Sequence, residues 1–466
     1  MTDWTIEGLA AAIAARRMSA VEAIELCLGR IERRDAGLRT FITVDADGAR
    51  RAARERDVEL AAGRARGPLH GVPLAWKDLC FLRALPTSCG TRTPAYFVAE
   101  ADCTAAARLV AAGAVTLGKL NMSELALGPF GDNAHHGHVQ NPWRAGHCAG
   151  GSSSGSGAAV AAGLAAGALG TDTGGSIRLP AACCGIVGLK PTYGRVSRAG
   201  VMALSWSNDH VGPMTRTVRD AALLLGLMAG HDPSDATTSR RPVPDYLAGI
   251  EQGGGGLRIG LPTNYYFEDA DPDVGVAVRA AAERLSRDGA RVIELRVPDP
   301  QPIVDATGLV SRAESAAIHA RVVRERPHEL QPAVRARLEV GFHVPAHDYL
   351  QALRLRARWA REFTRLVFGE VDVLLAPTIP APAPALAEVT GAPVGEVLAR
   401  MARFSRLTRP FNGLGLPVLS VPCGLSRSGL PLGLQIVGRP FDEATVLRVG
   451  RAWERAVGGF PSPPAP

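Results

Sequence analysis

Short apolar runs alternate with longer amphipathic segments along this chain of 466 residues. Residues 71–76 have the composition of a short buried strand, and residues 102–112 have the pattern of a helix that leads into a strand at 114–117. Strands and helices that alternate at these lengths favour an α/β fold with a largely buried sheet. Since 46% of the residues are hydrophobic, the chain can also bury a large core.

Other segments carry helix and strand signals of the same kind. Ser19 and Glu22 have the spacing of a capping box, which predicts a helix that runs to about residue 33. Small residues at 158–168 predict a helix able to pack closely against a sheet. Four glycines at 253–256 cannot hold a helix or a strand, and they predict a flexible surface connection. The remaining predicted elements are helices near 47–61 and 273–287 and strands at 257–261, 292–295, 371–375, 417–421 and 432–437.

The charge and cysteine content argue against several classes of protein. Basic and acidic residues are interleaved over the whole chain, so the net charge of +7 indicates a solvated surface and not a nucleic-acid-binding stripe. The eight cysteines include no Cys-x-x-Cys pair, which favours reduced thiols in the cytoplasm. Asp3 and Glu7 stand where a signal peptide would carry positive charge, and the small-apolar stretch at 158–169 is too short to span a bilayer. We therefore expect a cytoplasmic protein with no membrane segment.

Lysine is rare in this sequence. Only Lys77, Lys119 and Lys190 interrupt a strong preference for arginine among 52 cationic side chains. An arginine keeps its proton in a protein, whereas a buried lysine can become a neutral amine and act as a base. Lys77 precedes two blocks rich in serine and glycine, and this position makes it the candidate base.

The two blocks are Gly-Gly-Ser-Ser-Ser-Gly-Ser-Gly at 150–157 and Leu-Gly-Thr-Asp-Thr-Gly-Gly-Ser-Ile-Arg at 169–178. Lys77 precedes Ser152 by 75 residues, and Ser152 precedes Ser176 by 24. In these motifs and their spacing the sequence resembles the amidase signature family, serine hydrolases that use a Ser–cisSer–Lys triad. Related patterns cover residues 65–240 and extend more weakly to about 440.

The resemblance implies the architecture of the whole chain. It predicts an α/β fold in a single large domain over residues 1–466, with a central mixed β-sheet covered by helices on both faces. The catalytic motifs would occupy about 65–240. A C-terminal part at about 257–455 would shape the substrate pocket.

The resemblance also assigns roles in the cleavage of an amide. Ser176 would be the nucleophile, Lys77 the base and Ser152 the relay between them, with the family's cis peptide bond at Gly151–Ser152. A serine hydroxyl is a weak nucleophile that needs a base. Lys77 can serve only if burial or a neighbouring cation lowers its pKa from about 10.4 towards neutrality. No metal or organic cofactor is implied.

The residues around the triad follow from the same resemblance. Backbone N–H groups would form an oxyanion hole, in which the loss of one donor typically costs about 100- to 1,000-fold in rate. The oxyanion donors would be Thr173, Gly174 and Gly175. The supporting residues would be Ser153, hydrogen-bonded to the lysine and the relay serine, and the charged pair Asp172 and Arg178.

Two motifs suggest other enzyme classes. Residues 151–155 also fit the G-x-S-x-G nucleophile elbow, which would make Ser153 the nucleophile, but the preceding residues 141–149 look like a polar loop and not the strand that an elbow requires. Residues 113–119 approximate a phosphate-binding loop, yet Leu120 stands where Ser or Thr should bind magnesium. Lys119 is therefore predicted to be structural.

The remaining chemistry-bearing residues have simpler explanations. His135, His136 and His138 lie close together, but no acidic or cysteine partner is spaced to complete a metal site. We expect their loop to border the substrate cleft. Lys190 is expected to anchor a turn. The adjacent cysteines at 183 and 184 are expected to be buried packing residues.

Two functions stay open within the family. Residues 190–198 resemble the A subunits of glutamyl-tRNA amidotransferases, which release ammonia from glutamine and depend on partner subunits. By contrast, the triple serine of the first block and residues 132–138 look more like stand-alone amidases. Residues 334–342 also lack the paired arginines associated with glutamine recognition in those subunits. The preferred hypothesis is an amidohydrolase that cleaves a linear carboxamide, or a related anilide, carbamate or ester, through an acyl-Ser176 intermediate.

The expected partner is a small-molecule amide. Neither nucleic acid nor a membrane is expected, and a homodimer stays open because dimers are common among relatives. The pocket is predicted to form from the loop 129–140, residues 202–208 and helices between 305 and 360. Trp206, Phe342 and His343 are candidate lining residues, and an apolar or aromatic acyl group is the working hypothesis.

Overall fold

The computed structural model describes residues 4–93 and 97–464. Asp3, which contributed to the argument against a signal peptide, lies outside these ranges. The strands are β1 (Phe41–Val44), β2 (Pro73–Lys77), β3 (Pro86–Thr87), β4 (Phe97–Val98), β5 (Val115–Leu120), β6 (Gln140–Asn141), β7 (Arg144–Cys148), β8 (Gly167–Asp172), β9 (Val187–Lys190), β10 (His210–Thr215), β11 (Arg258–Pro262), β12 (Arg291–Leu295), β13 (Val373–Pro377), β14 (Val418–Leu425) and β15 (Pro431–Gly438).

Helices occupy most of the remaining chain. They are α1 (Ile6–Ala14), α2 (Ala20–Leu38), α3 (Ala46–Ala61), α4 (Thr104–Ala111), α5 (Ser154–Ala161), α6 (Arg178–Cys184), α7 (Val218–Met228), α8 (Pro272–Arg287), α9 (Gln301–Ile318), α10 (Ala320–Glu325), α11 (Pro332–Gly341), α12 (Ala346–Glu370), α13 (Ala387–Thr390), α14 (Val394–Phe404), α15 (Arg409–Gly413) and α16 (Glu443–Ala456). Of the helices within the described ranges, none combines the length and the apolar character that crossing a membrane requires.

Eleven strands of the described chain form one mixed sheet, in the order β1-β5-β2-β8-β10-β9-β14-β15-β13-β11-β12. β2 is parallel to β5 and β8, and β11 is parallel to β12 and β13. The strands from β8 through β13 in this order pair antiparallel. Because β9 pairs with β14, the catalytic-motif segment and the C-terminal segment contribute to the same sheet. The single α/β fold with a mixed sheet is confirmed.

Side chains of the central strands alternate between two hydrophobic cores. In β2, Leu74 and Trp76 belong to one core and Ala75 belongs to the other. The first core includes buried residues of α1, α4, α7, α8 and α16, and the second includes buried residues of α2, α3, α5 and α6. Since successive strand residues point to opposite faces of a sheet, helices cover both faces, as expected.

The local signals located most of the elements that they predicted. At the start of α2, the Ser19 hydroxyl accepts a hydrogen bond from the Glu22 N–H at 3.0 Å, and the Glu22 carboxylate accepts one from the Ser19 N–H at 2.7 Å. This confirms the capping box, although the helix continues to Leu38 and not to residue 33. The strand predicted at 71–76 is β2, and the five later strand predictions fall on β11 to β15.

Two local predictions need correction. The helix predicted at 158–168 is α5, which begins at Ser154 and ends at Ala161, because Gly163 adopts a left-handed φ of +68° and β8 then begins. The loop predicted at 141–149 contains most of a two-stranded ribbon of β6 and β7. The glycines at 253–256 lie between elements, as predicted, and the Arg448 guanidinium of α16 donates to the Gly253 carbonyl at 2.6 Å.

Candidate active site

Neighbouring parallel strands bring Lys77 and the second serine-glycine block together. Lys77 is the last residue of β2 and Asp172 is the last residue of β8, and these two strands pair directly. The carboxyl ends of parallel strands meet at the same edge of a sheet, where ligand sites of α/β folds form. From this edge the loop 173–177 carries Ser176 to the start of α6 at Arg178.

Ser152 lies in the loop between β7 and α5. The Gly151–Ser152 peptide bond is cis, as the family resemblance implied. Residue 151 has no room for a side chain, because an added Cβ would lie 2.6 Å from the Gly128 carbonyl oxygen and 2.7 Å from Ser123 Oγ. Glycine at this position therefore allows the close approach that places Ser152 beside Lys77.

The Lys77 amine is fully buried and hydrogen-bonded to two hydroxyl groups. Its Nζ lies 2.8 Å from Ser152 Oγ and 2.8 Å from Thr171 Oγ1. Burial lowers the pKa of Lys77 to about 7, against smaller opposing effects of Cys80 and Asp172. The amine is thus poised to lose its proton near neutral pH, which is the condition that a lysine base requires.

Ser153 and Thr171 support this arrangement through the backbone. The predicted hydrogen bonds from Ser153 to Lys77 and Ser152 are replaced by others: its Oγ donates to the Thr171 carbonyl at 3.2 Å and accepts from the Thr171 N–H at 3.3 Å. The Ser153 N–H donates to the Ser176 carbonyl at 3.3 Å. Thr171 lies inside the second serine-glycine block, but the sequence assigned it no role, because a threonine in a buried strand has the pattern of a core residue.

Asp172 and Arg178 form a buried ion pair at the base of the loop. Arg178 Nε lies 3.0 Å from Asp172 Oδ2, and its Nη2 lies 3.0 Å from Asp172 Oδ1. Burial alone would raise the pKa of Asp172, but the charge and hydrogen bonds of Arg178 outweigh it and hold this pKa well below its ordinary value. Arg178 also donates to three groups of the C-terminal segment, which are the carbonyl of Thr408 and the side chains of Asn412 and Gln435.

The loop between β8 and α6 is held by hydrogen bonds to Asp172 and to two neighbouring segments of the chain. The Gly175 N–H donates to Asp172 Oδ1 at 2.7 Å, so this predicted oxyanion donor is engaged within the protein. The Thr173 hydroxyl donates to Asp209 Oδ1 at 2.5 Å, and the Gly174 carbonyl accepts from Thr408 Oγ1 at 2.6 Å. These contacts leave the N–H groups of Thr173 and Gly174 as the candidate oxyanion donors.

A cavity of about 380 Å³ opens in front of Ser176. Ser176 is half-buried and lines this cavity with Thr173 and Gly174, whereas Lys77 and Ser152 are fully buried and do not line it. Its walls come from the loop at 126–129, α9, α11, α14 and the start of α15. The predicted segments 129–140 and 305–360 contribute to these walls, but nothing in the sequence pointed to α14 and α15.

The candidate lining residues named from the sequence lie elsewhere. Trp206 lines a second cavity of about 240 Å³, which also contacts Thr171, Thr173 and Asp209. Phe342 and His343 line neither of these two cavities. Of the predicted segment 202–208, Leu204 reaches the cavity in front of Ser176.

The two alternative motifs do not form the sites that they suggested. Lys119 lies within β5, where its Nζ is 3.3 Å from Asp78 Oδ1 and donates to Thr87 Oγ1 at 3.0 Å, so its role is structural. Ser153 is fully buried, and the strand before it, β7, belongs to the ribbon with β6 and not to the central sheet. A nucleophile elbow has no place there.

The other singled-out residues are accounted for by local contacts. Lys190 donates to the carbonyls of Pro191 and Leu416, so it joins the end of β9 to the segment before β14. His135 has an acidic partner that its spacing did not reveal, because its Nε2 lies 2.7 Å from Glu124 Oε1. Within the described ranges, no three or more His, Cys, Asp or Glu side chains are placed to hold a metal ion. The eight cysteines are buried free thiols.

Known proteins share this sequence and fold over nearly their whole length. The family model described as Amidase matches residues 22–447. The A subunit of the glutamyl-tRNA(Gln) amidotransferase from Anaeromyxobacter sp. (strain K) is 44% identical over 480 aligned positions, which cover 98% of this chain and 96% of that protein. The native peptide amidase from Stenotrophomonas maltophilia is 31% identical with a TM-score of 0.85, covering 99% of this chain and 98% of that chain.

A further solved structure is a chain from a vestigial protein complex that reveals the evolutionary origins of an s-triazine catabolic enzyme. It is 34% identical with a TM-score of 0.91, and the match covers 99% of this chain and 100% of that chain. Together, the family match and the shared fold show that the chain belongs to the amidase signature family. Enzymes of this family hydrolyse amide C–N bonds, and this protein is an amidase in that sense.

Proposed function

We propose that this enzyme cleaves a linear carboxamide, or a related anilide, carbamate or ester, through an acyl-enzyme on Ser176. Ser152 is the relay and Lys77 is the base. The observation that carries this proposal is the buried 2.8 Å contact between Lys77 Nζ and Ser152 Oγ. The next residue, Ser153, donates its N–H to the carbonyl of Ser176, which lines the cavity.

Acylation begins with the neutral form of Lys77. A neutral amine has two N–H groups and one lone pair, so it can donate to Thr171 Oγ1 while it accepts the proton of Ser152. Ser152 in turn takes the proton of Ser176 as Ser176 Oγ attacks the substrate carbonyl. The C–N bond then breaks, and the proton returns along the same path to the departing nitrogen.

Deacylation repeats these steps with water in place of Ser176 as the attacking group. Water loses its proton through the relay, the bond between the acyl carbon and Ser176 Oγ breaks, and Ser176 regains its proton. In both acylation and deacylation, the carbonyl oxygen under attack becomes an oxyanion. The N–H groups of Thr173 and Gly174 are the proposed donors to this oxyanion, since Gly175 donates to Asp172.

A second candidate is the glutamine-hydrolysing A subunit of a tRNA-dependent amidotransferase. The 44% identity with the Anaeromyxobacter protein over 98% of this chain favours it. Under this alternative the same serines and lysine would release ammonia from glutamine, and the activity would depend on partner subunits. The cytoplasmic location and the homodimer also stay predictions.

Turnover of an amide panel by the purified chain alone tests the proposal. The panel includes glutamine, aliphatic amides and anilides, and the Ser176→Ala variant is the control. Hydrolysis of an amide other than glutamine that Ser176→Ala abolishes would support the stand-alone hydrolase. Hydrolysis that Ser176→Ala leaves intact would refute the assigned nucleophile. Activity restricted to glutamine and dependent on added partner subunits would favour the second candidate.

A further inference from the structure

The cavity in front of Ser176 carries three arginines from three separate elements. Arg312 belongs to α9, Arg337 to α11, and Arg409 is the first residue of α15. Arg409 packs beside the proposed oxyanion loop, since a Cβ added to Gly174 would lie 3.6 Å from Arg409 Cγ. A cluster of cationic groups therefore faces the same space as the nucleophile.

This cluster has no counter-charge among the described residues that line the cavity. No Asp or Glu is among the described residues that line the cavity, and within the described ranges none forms an ion pair with Arg312, Arg337 or Arg409. Burial lowers the pKa of Arg337, and the charges of Arg409 and Arg312 lower it further. Burial and the charge of Arg312 likewise lower the pKa of Arg409. Like charges gathered without an anion raise the free energy of the empty site, and an anionic ligand would relieve this cost.

The rest of the cavity lining combines aliphatic and hydroxyl-bearing side chains. Leu127, Leu179, Val340 and Met401 contribute aliphatic wall, and hydroxyl-bearing residues such as Thr307 and Ser311 lie in the same lining. A ligand that fits this lining has an amide at one end, a short aliphatic chain in the middle and an anion at the other end. Guanidinium groups bind carboxylates through paired, charge-assisted hydrogen bonds, so a carboxylate suits this position.

We propose that the acyl chain of the substrate ends in a carboxylate and carries no amino group, as in a monoamide of an aliphatic dicarboxylic acid. This inference rests on the proposed function and replaces the expectation of an apolar or aromatic acyl group. Glutamine is a poorer match, because its ammonium group finds no carboxylate in the cavity lining and is repelled by Arg312, Arg337 and Arg409. The cluster therefore selects both for the carboxylate and against the α-amino group.

Binding to the Ser176→Ala variant tests the inference without turnover. Glutaramate is compared by calorimetry with pentanamide, its neutral counterpart, and with glutamine. Since hydrogen bonds to charged groups are among the stronger ones, glutaramate is expected to bind about 10- to 100-fold more tightly than either. Equal binding of pentanamide, tighter binding of glutamine, or no binding of glutaramate would each overturn the inference.

Matched substitutions on α11 locate the anion site. In the Ser176→Ala background, Arg337→Gln is expected to weaken the binding of glutaramate about 10-fold or more and to leave the weak binding of pentanamide unchanged. Arg335→Gln is the control, because Arg335 is exposed, pairs with Glu339 at 2.6 Å and does not line the cavity. Equal losses in Arg337→Gln and Arg335→Gln, or no loss in Arg337→Gln, would refute the site.

Turnover by the intact enzyme separates this inference from the proposed function. Equal hydrolysis of glutaramate and pentanamide would leave the amidase chemistry standing and remove the carboxylate specificity. Arginine-dependent binding of glutaramate without hydrolysis of any amide would leave the anion site standing and remove the proposed chemistry.

Discussion

At the scale of single residues, the proposed chemistry depends on the surroundings of Lys77. Its amine is fully buried, and its two hydrogen-bond partners are neutral hydroxyl groups. Lys119 is equally buried but lies 3.3 Å from the Asp78 carboxylate. The amine of Lys119 thus has a carboxylate partner, whereas burial without such a partner favours the neutral form of Lys77. The two lysines therefore have different roles despite their similar burial.

Replacement of Lys77 by arginine keeps the charge and removes the base. We expect Lys77→Arg to lower kcat about 1,000-fold, because general acid–base groups typically contribute about 100- to 10,000-fold and arginine keeps its proton. Lys77→Met, which is similar in length and uncharged, should lose as much. Lys119→Arg is the matched control and should stay active. If folded Lys77→Arg, checked by its thermal melting curve, kept more than about a tenth of the activity, Lys77 would not be the base.

The pH dependence of kcat/KM follows from the lowered pKa of Lys77. Below about pH 7 the amine is protonated and cannot accept a proton, and above this value it is the neutral base. We expect kcat/KM to rise about tenfold per pH unit below the midpoint and to level off above it. Melting curves recorded at each pH would exclude unfolding as the cause. A profile that is flat from about pH 5.5 to 8.5 would contradict the lysine mechanism.

The sequence was sufficient to propose Lys77, Ser152 and Ser176 as one site, since their motifs and spacing match a known pattern, and the structure places Lys77 Nζ 2.8 Å from Ser152 Oγ. It was insufficient for Thr171, Thr408 and the arginine cluster. Thr171 lies inside the second serine-glycine block, but its contact with Lys77 has no local signal. Thr408 reaches the loop because β14 brings its segment alongside β9. Arg312, Arg337 and Arg409 are far apart in the sequence, so their meeting in one cavity depends on how three helices pack.

At the scale of elements, the serine-glycine loops depend on close backbone contacts. We expect Gly151→Ala to lower the melting temperature and the activity, because its Cβ would lie 2.6 Å from the Gly128 carbonyl oxygen and overpacking typically costs about 1–3 kcal/mol. Gly275→Ala in α8 is the control, since nothing lies within 4 Å of its added Cβ and alanine favours the helix by up to about 1 kcal/mol. A Gly151→Ala protein with wild-type stability and activity would show that the close contact is unimportant.

The positions of most elements followed from local patterns, whereas some of their ends did not. The capping box fixed the start of α2, because the signal and the structure that it forms lie within four residues. The predicted end of α5 was wrong, because alanine-rich segments favour helix wherever they lie. The turn at Gly163 that ends this helix depends instead on the entry of the chain into β8. Helix propensity is a weak guide where sheet packing decides the boundary.

At the scale of the whole molecule, the loop that carries Ser176 is supported from both halves of the chain. Arg178 donates to Thr408, Asn412 and Gln435, all of which follow the glycines at 253–256. The sheet likewise continues from β9 into β14. The sequence could not fix this strand order, because pairing between such distant segments leaves no periodic signal. The proposed catalytic core and substrate-shaping part would therefore differ in function, but we expect them to fold as one unit.

Separation of the two parts tests this view. We expect residues 1–252 alone to lack a cooperative melting transition, because β9 loses its neighbour β14 and the Asp172–Arg178 pair loses its outer partners. Co-expression with residues 253–466 should restore both melting and amide hydrolysis. Circular dichroism measured during heating would decide the matter, and cooperative melting of 1–252 alone would indicate an independent domain.

The most direct test of the central claim is to identify the residue that becomes acylated. An aryl carbamate that forms a slowly hydrolysed carbamoyl-enzyme is reacted with the protein, and the adduct is located by intact-mass measurement and peptide mapping. The account predicts one adduct per chain, on Ser176, with parallel loss of activity and no labelling of Ser176→Ala. An adduct on Ser153, or loss of activity with Ser176 unmodified, would contradict it.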